Sequence, residues 1–249
     1  MKKIAFCFLI YDKINLEEYW NYFFDKVDKN KYNIYIHYKY NAPLLFFNDY
    51  KLNNCIPTNY EDITITKAIN LMLEEGLKDP DNSHFILLTG SCIPVKSFDY
   101  IYNYLNINNS YFNICPQEQC FPRTNTALKF IDKKFIQKTV TWSILNRKHC
   151  DLIIKDKSYL QWFDDCYAPT EHTYITLLYY YNLENELIKI NEDYKIIKLN
   201  QRSTKGIKDN NYMISLDGFK RLVMKSTSKE GKLFSNYIIK LHNIIFIPN

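Results

Sequence analysis

A carboxylate at a predicted helix start is the first residue in this sequence that could carry chemistry. Glu171 lies in residues 168–172, Ala-Pro-Thr-Glu-His, just ahead of an apolar stretch with helical spacing. Proline followed by an acid is a common helix-start pattern, so a purely structural role explains these residues as well. The functional alternative is a general base that stays ionised at neutral pH and accepts a proton from a substrate hydroxyl.

Three basic residues close together form the second candidate group. Arg202, Lys205 and Lys208 lie in one polar loop near the end of a predicted strand. Positive side chains there could neutralise a departing diphosphate, which is the task of a divalent metal in other enzymes. A solvated loop is the alternative interpretation.

The sequence shows no pattern of a metal site or a phosphate-binding loop. Its seven cysteines are irregularly spaced, and the closest pair, Cys115 and Cys120, has neither a second pair nor a nearby histidine. The five glycines are not clustered as a dinucleotide fingerprint or a Walker loop requires. We therefore expect no metal cofactor, no dehydrogenase and no P-loop kinase.

Strands and helices alternate in the first half of the predicted fold. This order predicts an α/β fold with a mostly parallel central sheet and helices on both faces. Asn15 is the predicted N-cap of the first helix, and Gly76 the stop of the second. The predicted strands are Ile4–Tyr11, Tyr32–His37 and His84–Thr89, and the predicted helices are Leu16–Val27, Ile63–Leu77 and Phe98–Leu105.

The carboxyl ends of these strands are the expected ligand site, because open parallel sheets bind ligands beyond that edge. A strand that simply runs out into solvent is the alternative at each end. The polar or flanking residues that we assign to donor binding here are Ile10, Tyr11, His37, Lys39, Ser91 and Cys92.

The second half is less regular. Cys115–Thr126 contains two prolines and is predicted to be a long, functional loop. The predicted elements are helices at Ser143–Lys155, Thr170–Tyr181 and Leu216–Met224 and a strand at Tyr194–Leu199.

The bulk properties exclude some classes of protein. The net charge is +5, and the lysines are scattered rather than collected in a run, so we expect no nucleic-acid partner. No segment approaches the roughly 18 apolar residues of a membrane span, and residues 1–13 have no small-residue cleavage site. Together with the irregular cysteines, this favours a cytoplasmic, reducing environment. Aromatic residues make up 16%, which fits ligand-binding walls or simply an A/T-rich codon bias.

Several segments in the same order resemble the Core-2/I-branching β-1,6-N-acetylglucosaminyltransferase family, in a compact form without a membrane anchor. The most specific is residues 85–94, an apolar strand followed by Thr-Gly-Ser-Cys-Ile-Pro. The others are residues 4–12, 35–37, 142–149 (Trp-Ser-Ile-Leu-Asn-Arg-Lys-His) and 168–172. Order and spacing hold over about residues 3–200.

The resemblance implies a GT-A-type fold and an inverting, metal-independent glycosyltransferase that uses a UDP-sugar. Glu171 would be the general base, and Arg202, Lys205 or Lys208 would stabilise the departing UDP. Trp142 and Arg123 would bind the acceptor, a glycan or a protein-linked hydroxyl. The donor would be of the GlcNAc or the xylose/glucose class. The whole chain, residues 1–249, would form one domain, with its nucleotide-binding part at about 1–110 and its acceptor and catalytic part at about 111–249.

Two positions depart from the family pattern. Lys39 stands where an acid often follows the second strand, and Tyr237 stands where a distal lysine is expected. A non-catalytic relative that binds a glycan or a protein is therefore the alternative function.

Overall fold

The computed structural model describes residues 2–94 and 96–190. Six strands form one mixed sheet with the order β2-β1-β3-β5-β4-β6. β1 is parallel to β2 and β3, and β4 is parallel to β6, whereas β5 runs antiparallel to β3 and β4. The strands are β1 Lys3–Ile10, β2 Tyr32–Tyr38, β3 Asn82–Thr89, β4 Ser110–Cys115, β5 Lys138–Asn146 and β6 Leu187–Lys189.

Helices cover both faces of this sheet, which confirms the predicted α/β class. Within the described ranges the α-helices are α1 Glu17–Phe24, α2 Ile63–Leu77, α3 Phe98–Tyr104, α4 Arg147–Lys155, α5 Ser158–Trp162 and α6 Thr173–Tyr180. Short 3-10 turns lie at Lys29–Lys31, Asn48–Tyr50, Gln117–Cys120, Asn125–Lys129, Lys133–Phe135, Pro169–Glu171 and Glu184–Glu186.

β1 supplies both hydrophobic cores because successive side chains of a strand point to opposite faces. Phe6 and Phe8 pack with α1 and α3 residues on one face, including Trp20. Cys7 packs on the other face with residues of α2, α4, α5 and α6. A strand buried on both faces requires a continuous apolar run, and β1 has one.

The prediction of a helix over Ser143–Lys155 is wrong in its first part. Residues 138–146 form β5, and α4 begins only at Arg147. Asn146 caps that helix, since its side chain accepts a hydrogen bond from the His149 N–H at 2.8 Å. Pairing with β3 and β4 decides the conformation of this segment, and Trp142 therefore lies in a strand rather than at a helix start.

The predicted bounds of α2, Ile63–Leu77, are confirmed, but the roles predicted for two residues at helix ends need correction. Leu16, not Asn15, occupies the N-cap of α1, and the Asn15 N–H donates to the Gly90 carbonyl instead. Gly76 does not end α2. It is buried within the helix, where an added Cβ would lie 2.7 Å from Phe85 Cε1, so this glycine permits close packing against β3.

Several predicted features lie outside the described residues. They include the strand Tyr194–Leu199 and the helix Leu216–Met224. The interpretation of residues 1–249 as a single domain also stays a prediction. Within the part of the chain that the structure describes, no helix is both long and apolar enough to cross a membrane.

Candidate active site

One edge of the sheet gathers most of the candidate residues. The carboxyl ends of β1, β2 and β3 lie side by side, with Ile10 opposite Tyr38 and Leu9 opposite Thr89. β5 runs antiparallel to β3, and its register places Ile144 opposite Ile86. Extended along the ladder, this register brings the first residues of β5 to the same edge.

Two tyrosines and a lysine form an exposed cluster at the ends of β1 and β2. The rings of Tyr11 and Tyr40 lie 4.9 Å apart, edge to face, and are 61% and 52% exposed. Lys39 Nζ lies 5.7 Å and 5.8 Å from their centroids. The hydrogen bond with Tyr40 raises the pKa of the Tyr11 phenol. Such a cluster can stack on a planar group and carry a positive charge beside it.

The end of β3 presents one hydroxyl to this edge. Ser91 is exposed, and its Oγ lies 3.0 Å from Thr89 Oγ1. Two hydrogen bonds hold Cys92 in place. Its Sγ accepts from the Thr89 N–H at 3.3 Å, and its carbonyl accepts from Trp20 Nε1 at 2.9 Å. The Ile10 side chain is buried, and its carbonyl accepts from the Lys39 N–H. Ile10 and Cys92 thus shape the edge, while Ser91 faces outward.

His37, predicted to bind the donor, lies beneath the edge. Its side chain is fully buried, and its Nε2 accepts a hydrogen bond from the Ile56 N–H at 2.9 Å. Burial lowers the pKa of His37 to about 4, so the ring is neutral at pH 7. In the structure this ring supports the loop that follows β2, and none of its atoms reaches the surface.

Glu171 lies in the 3-10 turn Pro169–Glu171, ahead of α6 rather than in its first turn. Its side chain is 27% exposed. Oε2 is buried and has no hydrogen-bond partner among the described residues. Two cations face this oxygen, Lys138 Nζ at 3.4 Å and Arg123 Nη1 at 3.7 Å. Their positive charges offset the carboxylate charge where solvent is scarce.

Neighbouring contacts fix the turn against β5. Thr170 Oγ1 lies 3.4 Å from Thr141 Oγ1. His172 is fully buried, and its Nδ1 donates to the Gln137 carbonyl at 2.9 Å, so its Nε2 carries the lone pair. Burial lowers the pKa of His172. The contacts on both sides of Glu171 therefore reach β5 or the residue before it, which holds the carboxylate at the sheet edge.

One of the two predicted acceptor residues contacts Glu171, and the other lies in β5. Arg123, in the long loop after β4, faces Glu171 and stacks on Tyr167, with 4.9 Å from its guanidinium carbon to the ring centroid. Trp142 follows Thr141 in β5 and is 40% exposed.

Sequence reasoning missed Lys138 and Tyr40. Lys138 begins a strand that was not predicted, and it lies 33 positions before Glu171 in the chain, so only the folded structure shows that they meet. Tyr40 follows Lys39 directly, and its signal was an aromatic residue beside a strand end.

Arg202, Lys205 and Lys208 lie outside the described residues, as does Tyr237. Within residues 2–94 and 96–190, no group of three or more His, Cys, Asp or Glu side chains is placed to hold a metal ion.

Comparisons with known proteins give one similar curated protein and one matching family model. The chain is 24% identical over 222 residues to the glycosyltransferase BC10 of Oryza sativa subsp. japonica. The aligned region covers 75% of this chain and 55% of that protein. The chain thus spans about half the length of this curated relative. A family model described as Core-2/I-Branching enzyme matches residues 4–204, and these residues contain Glu171, its two cations and all three parallel strand ends. The chain belongs to the Core-2/I-branching enzyme family.

Proposed function

We propose that this protein transfers a sugar from a UDP-sugar to a hydroxyl of a glycan or protein-linked acceptor, with Glu171 as the general base. The observation that supports this most is the environment of the carboxylate. One of its oxygens is buried against Lys138 and Arg123, while the side chain as a whole is 27% exposed. The remaining oxygen, Oε1, is then the atom that receives the acceptor proton.

The reaction is a single displacement. The acceptor oxygen attacks C1 of the donor sugar as its proton passes to Glu171 Oε1, and the bond between C1 and the diphosphate oxygen breaks with its electron pair on UDP. Attack opposite the leaving group inverts the anomeric carbon. The base must lie within about 2.6–3.2 Å of the hydroxyl, and holding Oε2 in place orients Oε1 for this approach.

The donor half lies at the ends of β1, β2 and β3. We assign base stacking to Tyr11 and Tyr40, since their rings are exposed beside each other. Lys39 lies over both rings and supplies a positive charge for the diphosphate. In this proposal Arg202, Lys205 and Lys208 neutralise the remaining negative charge of the departing UDP, and no divalent metal takes part. The donor sugar is of the GlcNAc or the xylose/glucose class.

UDP release with UDP-GlcNAc, UDP-xylose and UDP-glucose, with and without EDTA, tests the function directly. Glu171→Gln should lower kcat by about 10²–10⁴-fold, because the amide cannot accept the proton, and leave UDP binding intact. Glu184→Gln is the matched control, since Glu184 is exposed in a turn before β6. Normal turnover in Glu171→Gln would exclude this base, and complete loss of activity in EDTA would exclude the metal-free mechanism.

A non-catalytic relative is the second candidate function, and Tyr237 at the expected lysine position is the observation that favours it. Its signature is binding of a glycan without UDP release from any of the three donors.

A further inference from the structure

Two strained residues join separate segments beside Glu171. Glu61 and Ala168 have positive φ angles, 57° and 50°, in a region that costs non-glycine residues about 1–2 kcal/mol each. They are hydrogen-bonded to each other, from the Ala168 N–H to the Glu61 carbonyl at 3.1 Å. Strain of this kind persists where the surrounding structure enforces it, and it often marks ligand sites.

This junction presents two tyrosines to solvent. Tyr60 is 85% exposed and Tyr167 is 47% exposed. Tyr60 precedes Glu61 and Tyr167 precedes Ala168, so the hydrogen bond between Ala168 and Glu61 brings both tyrosines to this junction. Glu61 raises the pKa of the Tyr60 phenol by its negative charge and that of the Tyr167 phenol by hydrogen bonding. Arg123 lies over the Tyr167 ring. We call Tyr60, Glu61, Arg123 and Tyr167 the tyrosine rim.

The tyrosine rim adjoins the proposed base. The Glu171 N–H donates to the Ala168 carbonyl at 3.1 Å, so the turn that carries Glu171 starts at the strained junction. Arg123 contacts both Tyr167 and Glu171. A ligand on the rim therefore sits next to the carboxylate.

We propose that the tyrosine rim binds the sugar ring that carries the acceptor hydroxyl, an inference that rests on the proposed function for its acceptor. The C–H face of a pyranose packs on an aromatic ring, while ring hydroxyls donate to Glu61 and accept from Arg123. A serine or threonine acceptor offers no ring for these tyrosines. A UDP diphosphate is disfavoured here by the Glu61 and Glu171 carboxylates. With a sugar ring on the rim, the acceptor hydroxyl belongs to that ring and not to a protein side chain.

Ligand-observed NMR titration tests the rim without requiring turnover. The probes are the methyl β-D-pyranosides of galactose, glucose, xylose and N-acetylglucosamine, with UDP as a separate ligand. Tyr60→Ala should weaken pyranoside binding by about fivefold or more and leave UDP binding unchanged, because the phenol ring supplies the surface on which the pyranose packs. Tyr60→Phe should retain most of the affinity. Tyr100→Ala is the matched control, because Tyr100 is a 51% exposed tyrosine on α3.

The outcomes separate this inference from the proposed function. No pyranoside binding to the wild type, equal binding by Tyr60→Ala and Tyr100→Ala, or weaker UDP binding in Tyr60→Ala would each overturn the inference. Pyranoside binding that depends on Tyr60, without UDP release from any donor, would retain the sugar site and reject the transferase. UDP release that proceeds with the same acceptor KM in Tyr60→Ala would reject the rim alone.

Discussion

The buried His37 makes the stability of this fold depend on pH. Its Nε2 accepts the Ile56 N–H, so a proton on Nε2 would place two donors face to face. Burial lowers the pKa of His37 from 6.5 to about 4. A group with a lowered folded pKa stabilises the fold above its unfolded pKa. Its contribution is lost as the pH falls from about 6.5 towards about 4.

The magnitude follows from the two pKa values. Lowering the pKa of His37 from 6.5 to about 4 corresponds to a loss of about 3 kcal/mol of stability below pH 4. At pH 5 most unfolded molecules carry a second ring proton on His37, whereas most folded molecules do not. About 2 kcal/mol of the folded state's stability has then been lost. Because a domain is stable by only about 5–15 kcal/mol, one such residue has a measurable effect.

Urea unfolding at pH 7.5 and pH 5, monitored by tryptophan fluorescence, measures how much the free energy of unfolding falls between the two pH values. Glutamine at position 37 keeps an acceptor for the Ile56 N–H and does not titrate in this range. We expect His37→Gln to lose about 2 kcal/mol less than the wild type between the two pH values, whatever its absolute stability. His84→Gln should behave similarly, since burial also lowers the pKa of His84 to about 4.

Two results would refute this reasoning. One is an equal loss of stability between pH 7.5 and pH 5 in the wild type and in His37→Gln. The other is an NMR titration of the folded protein in which His37 takes up its proton near pH 6.5. Either would show that the ring is solvated or that the Ile56 hydrogen bond is absent.

Two further substitutions test the positioning of Glu171 and the packing of α2. Lys138→Met should lower kcat about tenfold or more with little change in UDP affinity, because Oε2 loses its nearer cation. Lys138→Arg should restore most of the rate, and wild-type turnover in Lys138→Met would contradict this prediction. Gly76→Ala should destabilise the protein by about 1–3 kcal/mol in urea, since the new methyl group meets Phe85, and an unchanged midpoint would show that the ring can move aside.

The sequence predicted the central strands well because their signal is local. β1 is a nearly continuous apolar run and β3 contains a shorter one at residues 85–88. The helix Ile63–Leu77 has an apolar face with helical spacing, so each pattern specifies one structure. β5 differs because its last residues could also continue the helical pattern of α4. Only the ladders to β3 and β4 decide between the two, and those contacts are not visible in a single segment.

The site shows the same limit. The position of Glu171 followed from motif order, yet its neighbours Lys138 and Arg123 lie 33 and 48 residues earlier in the chain. No spacing rule connects them, because the fold brings them together through β5 and the loop after β4. The role of Arg202, Lys205 and Lys208 in stabilising the departing UDP stays a prediction.

Buried polar atoms argue that the Glu171 turn is more than a helix start. Among the described residues, six buried side-chain N or O atoms have no hydrogen-bond partner, and three belong to the consecutive residues Glu171, His172 and Thr173. Each such atom costs about 1–3 kcal/mol. A turn that only began α6 would gain stability from apolar residues or satisfied caps at these positions. The fold keeps the unpaired Glu171 Oε2 beside two cations, an arrangement that suits a carboxylate held in place so that its other oxygen can meet a substrate hydroxyl.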